Sequence, residues 1–307
     1  MFNEKDTNRI ITELKKRKTR KVLIQVPEGL KMKVQDFAKT VEKNGIGVFI
    51  SADPCYGACD IRDYEAKQLG CDVLLHIGHS DFGLKTKLPV IYEEYRIDFD
   101  PVPLLRKNLK KLRKYKKICI ATTVQFLDSL KTAKEFLEKK GKKIYISGSG
   151  QLLGCDTLGA EAFDKVVDCY IFLGSGTFHP MGLAIKVEKP VLMLSFETGD
   201  IINLETEQSV YKRIRAAHIE KAKESKNFGI LVSTKPGQLK IKTAEHVKKM
   251  LDEKGKQSWI IVMDEITPEK LLGMRFDCLV NCACPRITED FKMFKKPILN
   301  PEDVERI

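Results

Sequence analysis

Apolar residues along the chain follow two alternating spacings. Stretches with apolar positions three or four apart alternate with short runs that are apolar throughout, which predicts helices and buried parallel strands in turn. This order recurs three times in the 307 residues. Each third opens on a basic amphipathic helix, with Ile10, Ile11 and Leu14 sharing a face in the first. Leu104, Leu105, Leu109 and Leu112 do so in the second, and Val210, Ile214 and Ala217 in the third. An apolar β-branched strand follows: KVLIQVPEG (21–29), KICIATTVQ (117–125) and FGILVSTKPGQ (228–238). Next come a helix with a Lys-rich last turn and a terminal Gly, and then a second strand (GVFISADP, KIYISGSG, SWIIVMDE). A third strand lies in CDVLLHIGHS, VDCYIFLGSG and FDCLVNCACPR, and a further one near Val90–Tyr95, Val191–Phe196 and KPILNP.

The predicted fold is therefore α/β: three related Rossmann-like units with parallel sheets, an internal triplication over residues 1–99, 100–203 and 204–307. Ligands in open α/β sheets collect at the C-terminal strand ends, so the three units are expected to surround one central site.

Composition narrows the function classes. No apolar run reaches the roughly 18 residues needed to cross a bilayer, and MFNEKDTNRI carries no signal-peptide core. A cytoplasmic protein without a membrane partner is expected. The formal charge of +12 suits an anionic partner. The lysines, however, are spread over helix surfaces such as ELKKRK, with no RNA-module signature or aromatic stripe, so direct nucleic-acid binding is not expected.

Nine cysteines in an intracellular chain point to metal, reactive thiols or burial rather than disulfides. Cys71, Cys119, Cys169 and Cys278 lie in or beside apolar strands and read as small buried hydrophobes. Cys55 and Cys59 (ADPCYGACD), Cys155 (GSGQLLGCD), and Cys282 and Cys284 (NCACPR) sit in loops just past strands, at least one per third. One thiolate from each would hold an iron–sulfur cubane with one iron open. Spacing leaves three possibilities standing: this cluster, a zinc site built on the CxxxC and CxC pairs, and ordinary thiols. It does not separate Cys59 from Cys55 or Cys284 from Cys282.

DPCYGACD (53–60), GQLLGCD (150–156), LGSGTFHPMGL (173–183), LVSTKPGQ (231–238) and CACPRI (282–287) resemble the archaeal diphthamide synthase family across nearly the whole chain. The resemblance implies a [4Fe–4S] cluster on Cys59, Cys155 and Cys284, S-adenosylmethionine as co-substrate, a homodimer and an external electron donor. CYGACD lacks the CxxxCxxC loop of ordinary radical S-adenosylmethionine enzymes. The activity implied is cleavage of the Cγ–S bond, giving a 3-amino-3-carboxypropyl radical and methylthioadenosine. The radical then adds to imidazole C2 of a histidine in translation elongation factor 2, the first step of diphthamide biosynthesis.

Around the cluster, Gly174, Ser175, Gly176 and His179 (GSGTFHP) and Ser233, Lys235, Gly237 and Gln238 (STKPGQ) are expected to contact S-adenosylmethionine, with Lys235 on its carboxylate. GSGTFHP reads equally as a tight turn with His179 exposed or structurally hydrogen-bonded, and STKPGQ as a plain strand-to-helix turn. Arg286 could fork onto the same carboxylate or pair with Asp290, and His76 and His79 form a metal pair only at first sight. Two other functions fit the broad pattern: a quinolinate synthase-like enzyme using the open iron as a Lewis acid, and a zinc-stabilised module of the translation machinery. CYGACD and ACPRI argue against the first.

Overall fold

The structure, a computed structural model, describes residues 2–289 and 293–307. By internal contacts the chain divides into two compact units, Met1–Tyr95 with Lys235–Gly237, and Arg96–Thr234 with Gln238–Ile307.

The first unit holds one parallel sheet of β1 (Lys21–Gln25), β2 (Gly47–Ile50), β3 (Val73–Ile77) and β4 (Val90–Glu93), in the order β2-β1-β3-β4. The Glu4–Lys16 helix is capped by Asn3, whose side chain accepts from the Asp6 N–H at 2.8 Å. As the periodicity requires, this helix buries Ile10, Ile11 and Leu14. Each such side chain contributes about 1.5–3 kcal/mol when removed from water.

The second unit holds two sheets. One is formed by β5 (Lys117–Thr122), β6 (Lys143–Tyr145), β7 (Cys169–Gly174), β8 (Val191–Ser195) and β9 (Ile201–Asn203), in the order β6-β5-β7-β8-β9. The other is formed by β10 (Asn227–Ser233), β11 (Gln257–Met263), β12 (Cys278–Asn281) and β13 (Ile298–Leu299), in the order β11-β10-β12-β13. All pairings are parallel except β8 with β9, an antiparallel edge strand the sequence pattern did not signal.

The same strand order thus occurs three times, and one side chain is reused at the same place in each sheet. Asp72, immediately before β3, accepts the N–H groups of Arg20 and Lys21 at 2.7 and 3.0 Å where β1 begins. Asp168, before β7, does this for Lys116 and Lys117 at 2.7 and 2.8 Å. Asp277, before β12, does it for Lys226 and Asn227 at 3.0 and 2.9 Å. These backbone donors hold all three carboxyls below the usual carboxylate range. The helix after each first strand ends at a left-handed glycine: Gly45, Gly141 or Gly255.

Two opening helices differ from the expected pattern. The second stops at Lys107 and continues as a 3₁₀ turn over Leu109–Leu112, burying Leu105 and Leu112 while Leu104 and Leu109 are half-buried. The break falls at buried Asn108, whose amide donates to the Gly199 carbonyl at 2.9 Å and accepts from the Ile201 N–H at 3.1 Å, fastening the start of β9. The third, Glu205–Glu224, buries Ile219 and Ala222; Val210 and Ala217 are exposed and Ile214 half-buried, so the expected face is not its core face. An ion pair also fixes its rotation, with Arg215 2.7 Å from buried Asp303. Apolar periodicity cannot register such a contact.

Among the described residues no helix is long and apolar enough to cross a membrane.

Candidate metal centre

Burial separates the nine cysteines cleanly. Cys55, Cys71, Cys119, Cys169, Cys278 and Cys282 are buried, whereas Cys59 and Cys284 are half-buried and Cys155 is exposed. Burial pushes the thiols of Cys55, Cys119, Cys169 and Cys278 up to about 12 and that of Cys282 up to about 11, so these sulfurs resist becoming thiolates. The three accessible cysteines lie past β2, β6 and β12.

In the first unit, the Cys59 loop is held from two sides. The Gly237 N–H donates to the Cys59 carbonyl at 2.8 Å. A Cβ at position 237 would stand 2.6 Å from both Cys59 Cα and Cβ, so only glycine permits this approach. Next to it, Lys235 Nζ donates to Asp60 Oδ2 at 2.8 Å, with Asp60 1% and Lys235 4% exposed. The ammonium also lies 4.4 Å from the centre of the Tyr56 ring. Burial holds the Asp60 carboxyl above the usual carboxylate range even with Lys235 and Arg62 beside it. On the other side, Gln25 Nε2 donates to the Asp60 carbonyl at 2.6 Å and its Oε1 accepts from the Arg62 N–H at 3.2 Å.

In the second unit, the loops carrying Cys155 and Cys284 meet on one aromatic ring. The Phe178–Ala184 helix packs against the backbone before Cys155 so closely that a Cβ on Gly182 would lie 2.3 Å from the Gly154 carbonyl oxygen. A Cβ on Gly154 would in turn lie 2.8 Å from Phe178 Cζ. The Arg286 guanidinium, two residues past Cys284, lies 5.2 Å from the centre of that same Phe178 ring. Cys284 is fixed by Asn281, whose amide donates to the Cys284 carbonyl at 2.8 Å and accepts from the Ala283 N–H at 3.1 Å, an Asx-type turn.

The residues expected to contact S-adenosylmethionine fall into these same loops. His179 Nδ1 accepts from the Gly154 N–H at 3.1 Å, which leaves its proton on Nε2 and ties GSGTFHP to the Cys155 loop. Gly174 and Gly176 have φ of 154° and 74°, backbone that L side chains rarely adopt, and Ser175 is exposed between them. A helix begins at Phe178, two residues past the last glycine. Lys235 and Gly237 brace the Cys59 loop, Ser233 donates to the Asp264 carbonyl at 2.7 Å, and Gln238 is buried. Arg286 rests on Phe178, while Asp290, its other expected partner, lies outside the described residues.

Sequence reasoning passed over Asp60, Gln25, Phe178 and Asn281. Asp60 carried a signal, being an acid directly after a loop cysteine in a glycine-rich turn, and Asn281 another, at a strand-to-turn junction. Gln25 and Phe178 carried none, since their partners are 35 residues or more away for Gln25 and set by helix packing for Phe178.

Residues 26–307 match the family described as "Putative diphthamide synthesis protein". The 2-(3-amino-3-carboxypropyl)histidine synthase of Pyrococcus horikoshii is 38% identical, the match covering 99% of this chain and 90% of that one. Its namesake in Methanocaldococcus jannaschii is 30% identical over 97% of this chain and 88% of its own. The crystal structure of Dph2 from Pyrococcus horikoshii superposes with a TM-score of 0.92 over 99% of this chain and 91% of that one, at 38% identity. The crystal structure of the same protein with a 4Fe-4S cluster gives 0.90 over 97% and 89%, again at 38%. By sequence and by fold, the chain belongs to the diphthamide synthesis protein family.

Proposed function

We propose that this enzyme transfers the 3-amino-3-carboxypropyl group of S-adenosylmethionine to imidazole C2 of a histidine in translation elongation factor 2, using a [4Fe–4S] cluster held by Cys59, Cys155 and Cys284. The observation that carries the reading is the sorting of the cysteines: of nine, only these three are not buried, and each stands in a strand-end loop. Three accessible thiolates suit a cubane that keeps one iron open to a substrate. Similarity to synthases of that name, and to a relative whose structure contains a 4Fe-4S cluster, supports the same assignment.

When bound, the cluster would supply the electron that breaks the Cγ–S bond to give methylthioadenosine and a carbon radical, and would take one electron back as the histidine adduct loses its C2 proton and regains aromaticity. The chain's own residues orient and exclude. Gly237 and Lys235 fix the Cys59 loop from its flank, His179 and Gly182 fix the Cys155 loop, and Asn281 fixes Cys284. Ser175 and Gly176 are exposed, which leaves this turn accessible to the co-substrate, and Arg286, a planar cation, suits its carboxylate. The basic surface serves docking of a large protein substrate, and the enzyme acts in the cytoplasm as a homodimer fed by an external electron donor. Reduced enzyme incubated anaerobically with S-adenosylmethionine and elongation factor 2 should release methylthioadenosine and leave one aminocarboxypropyl group on the factor's histidine. Release of 5′-deoxyadenosine and methionine instead, with unmodified factor, overturns the reading.

A further inference from the structure

The cluster reading leaves a second group of metal-ligating side chains unused. In the first unit, Cys55 Sγ and one ring nitrogen from each of His76 and His79 all lie within 4.8 Å of one another. His76 is the penultimate residue of β3 and fully buried, and Cys55 is the buried member of the CYGAC pair. The two cysteines of that motif, which spacing could not tell apart, therefore have different surroundings, Cys55 beside two imidazoles and Cys59 against Gly237.

Hydrogen bonding fixes the tautomer of His76. Gln25 Nε2 faces a carbonyl, that of Asp60, and Gln25 Oε1 faces an N–H, that of Arg62, so its amide has only one orientation. Oε1 also lies 3.0 Å from His76 Nδ1, which must then carry the proton. His76 Nε2 is left with a lone pair, directed at His79 Nδ1 at 3.0 Å. Two nitrogens that close share either a proton or a cation. A ring N–H held by an amide or carboxylate oxygen while the opposite nitrogen points inward is the usual support of a metal-bound histidine. In a tetrahedral zinc site, nitrogens each at about 2.0–2.1 Å from the metal stand roughly 3.3 Å apart, so the observed pair needs to open by only about 0.3 Å.

We propose that Cys55, His76 and His79 form a second metal site, for Zn²⁺ or a divalent ion of similar softness, which braces the loop carrying Cys59. Two neutral imidazoles and one thiolate are a donor set for such an ion, and the fourth position is left to solvent. Burial keeps both rings neutral at physiological pH, with pKa values lowered to about 3 for His76 and about 4 for His79, so their lone pairs are available. The same burial, with Asp60 nearby, opposes the Cys55 thiolate in the absence of a cation. A divalent ion bound by the sulfur reverses that balance. This site stands independently of the iron–sulfur assignment.

The test uses the full chain carrying Cys59→Ser, Cys155→Ser and Cys284→Ser, which removes the proposed cluster ligands, titrated anaerobically with Co²⁺ alone. Uptake of one Co²⁺ per chain is expected, with visible bands of a tetrahedral ion and a near-ultraviolet thiolate-to-cobalt transition. Adding Cys55→Ser should abolish that transition, and adding His76→Gln or His79→Gln should weaken binding at least tenfold. No uptake, or a transition indifferent to Cys55→Ser, overturns the proposal and leaves the histidines sharing a proton. If the triple variant does not fold, zinc and iron are counted on the unmodified chain and on His79→Gln, both purified anaerobically. Loss of zinc with iron retained supports the site, and zinc absent from the unmodified chain overturns it.

Discussion

Replacing Lys235 by Met removes the cation from a fully buried ion pair and leaves the Asp60 carboxylate behind. Both partners are almost completely enclosed, and 2.8 Å separates Lys235 Nζ from Asp60 Oδ2. Arg62 Nη2, the other nearby cation, stands 3.7 Å from Oδ1, too far to take over the lost hydrogen bond. Breaking a buried pair by deleting one partner costs about 3–5 kcal/mol, or roughly two to four powers of ten in the folding constant. The loss should depend on pH, with a definite sign. Burial raises the Asp60 pKa in the folded chain above its ordinary 3.8, so the folded state holds this proton more tightly than the unfolded state. The group's contribution to stability is therefore greatest below 3.8 and declines as pH rises through the elevated folded value. Without Lys235 that value moves higher still. Denaturant unfolding followed by far-ultraviolet circular dichroism should show a defect near its full size at neutral pH that shrinks as pH falls. Lys235→Met combined with Asp60→Asn should recover most of the loss, because no unpaired charge remains buried. A neutral-pH loss below about 1 kcal/mol, the range of an exposed pair, or a loss that does not vary with pH, would refute the reasoning.

Two glycine substitutions test the packing behind the cysteine loops. Gly237→Ala places a methyl 2.6 Å from Cys59 Cα, and Gly182→Ala places one 2.3 Å from the Gly154 oxygen, both against backbone. Each should cost about 1–3 kcal/mol and speed loss of iron to a chelator roughly tenfold or more. Gly29→Ala, with nothing within 4 Å, should change neither property. The repeated aspartates give a third expectation: Asp168→Ala should destabilise by about 1–2 kcal/mol, toward the low end because the carboxylate is solvated. The folded pKa of Asp168 is depressed, so the wild-type advantage is present above 3.8 and disappears as pH falls through the folded value. Parallel urea titrations at pH 7 and pH 3 would show whether the difference narrows.

How far the fold could be read ahead of the structure depended on the range of the interactions involved. Central strands such as Lys117–Thr122 were legible because burial on both faces demands an uninterrupted apolar run. The antiparallel β9 was not, since its short sequence IIN is placed by Asn108, more than ninety residues earlier in the chain. The third opening helix was legible as a helix but not in its rotation, which depends on Arg215 meeting Asp303. At the candidate site, the glycine-rich loops past the strands are visible in the sequence, yet the partners that hold them are distant in it. Lys235 and Asp60 are 175 residues apart, and no local pattern connects them. The three-residue spacing of His76 and His79 in HIGHS does not prescribe a pair, and Gln25, 51 residues from His76, orients one ring toward the other.

The most direct measurement is a count of iron and acid-labile sulfide per chain after anaerobic reconstitution, made on the unmodified protein and on five single cysteine variants. About four of each are expected for the unmodified chain. Cys59→Ser, Cys155→Ser and Cys284→Ser should each lose the cluster or hold it so weakly that gel filtration strips it. Cys55→Ser and Cys282→Ser should keep the full iron complement. Full iron in all of the first three, or loss confined to the buried pair, would contradict the assignment of the three accessible sulfurs as the cluster's ligands.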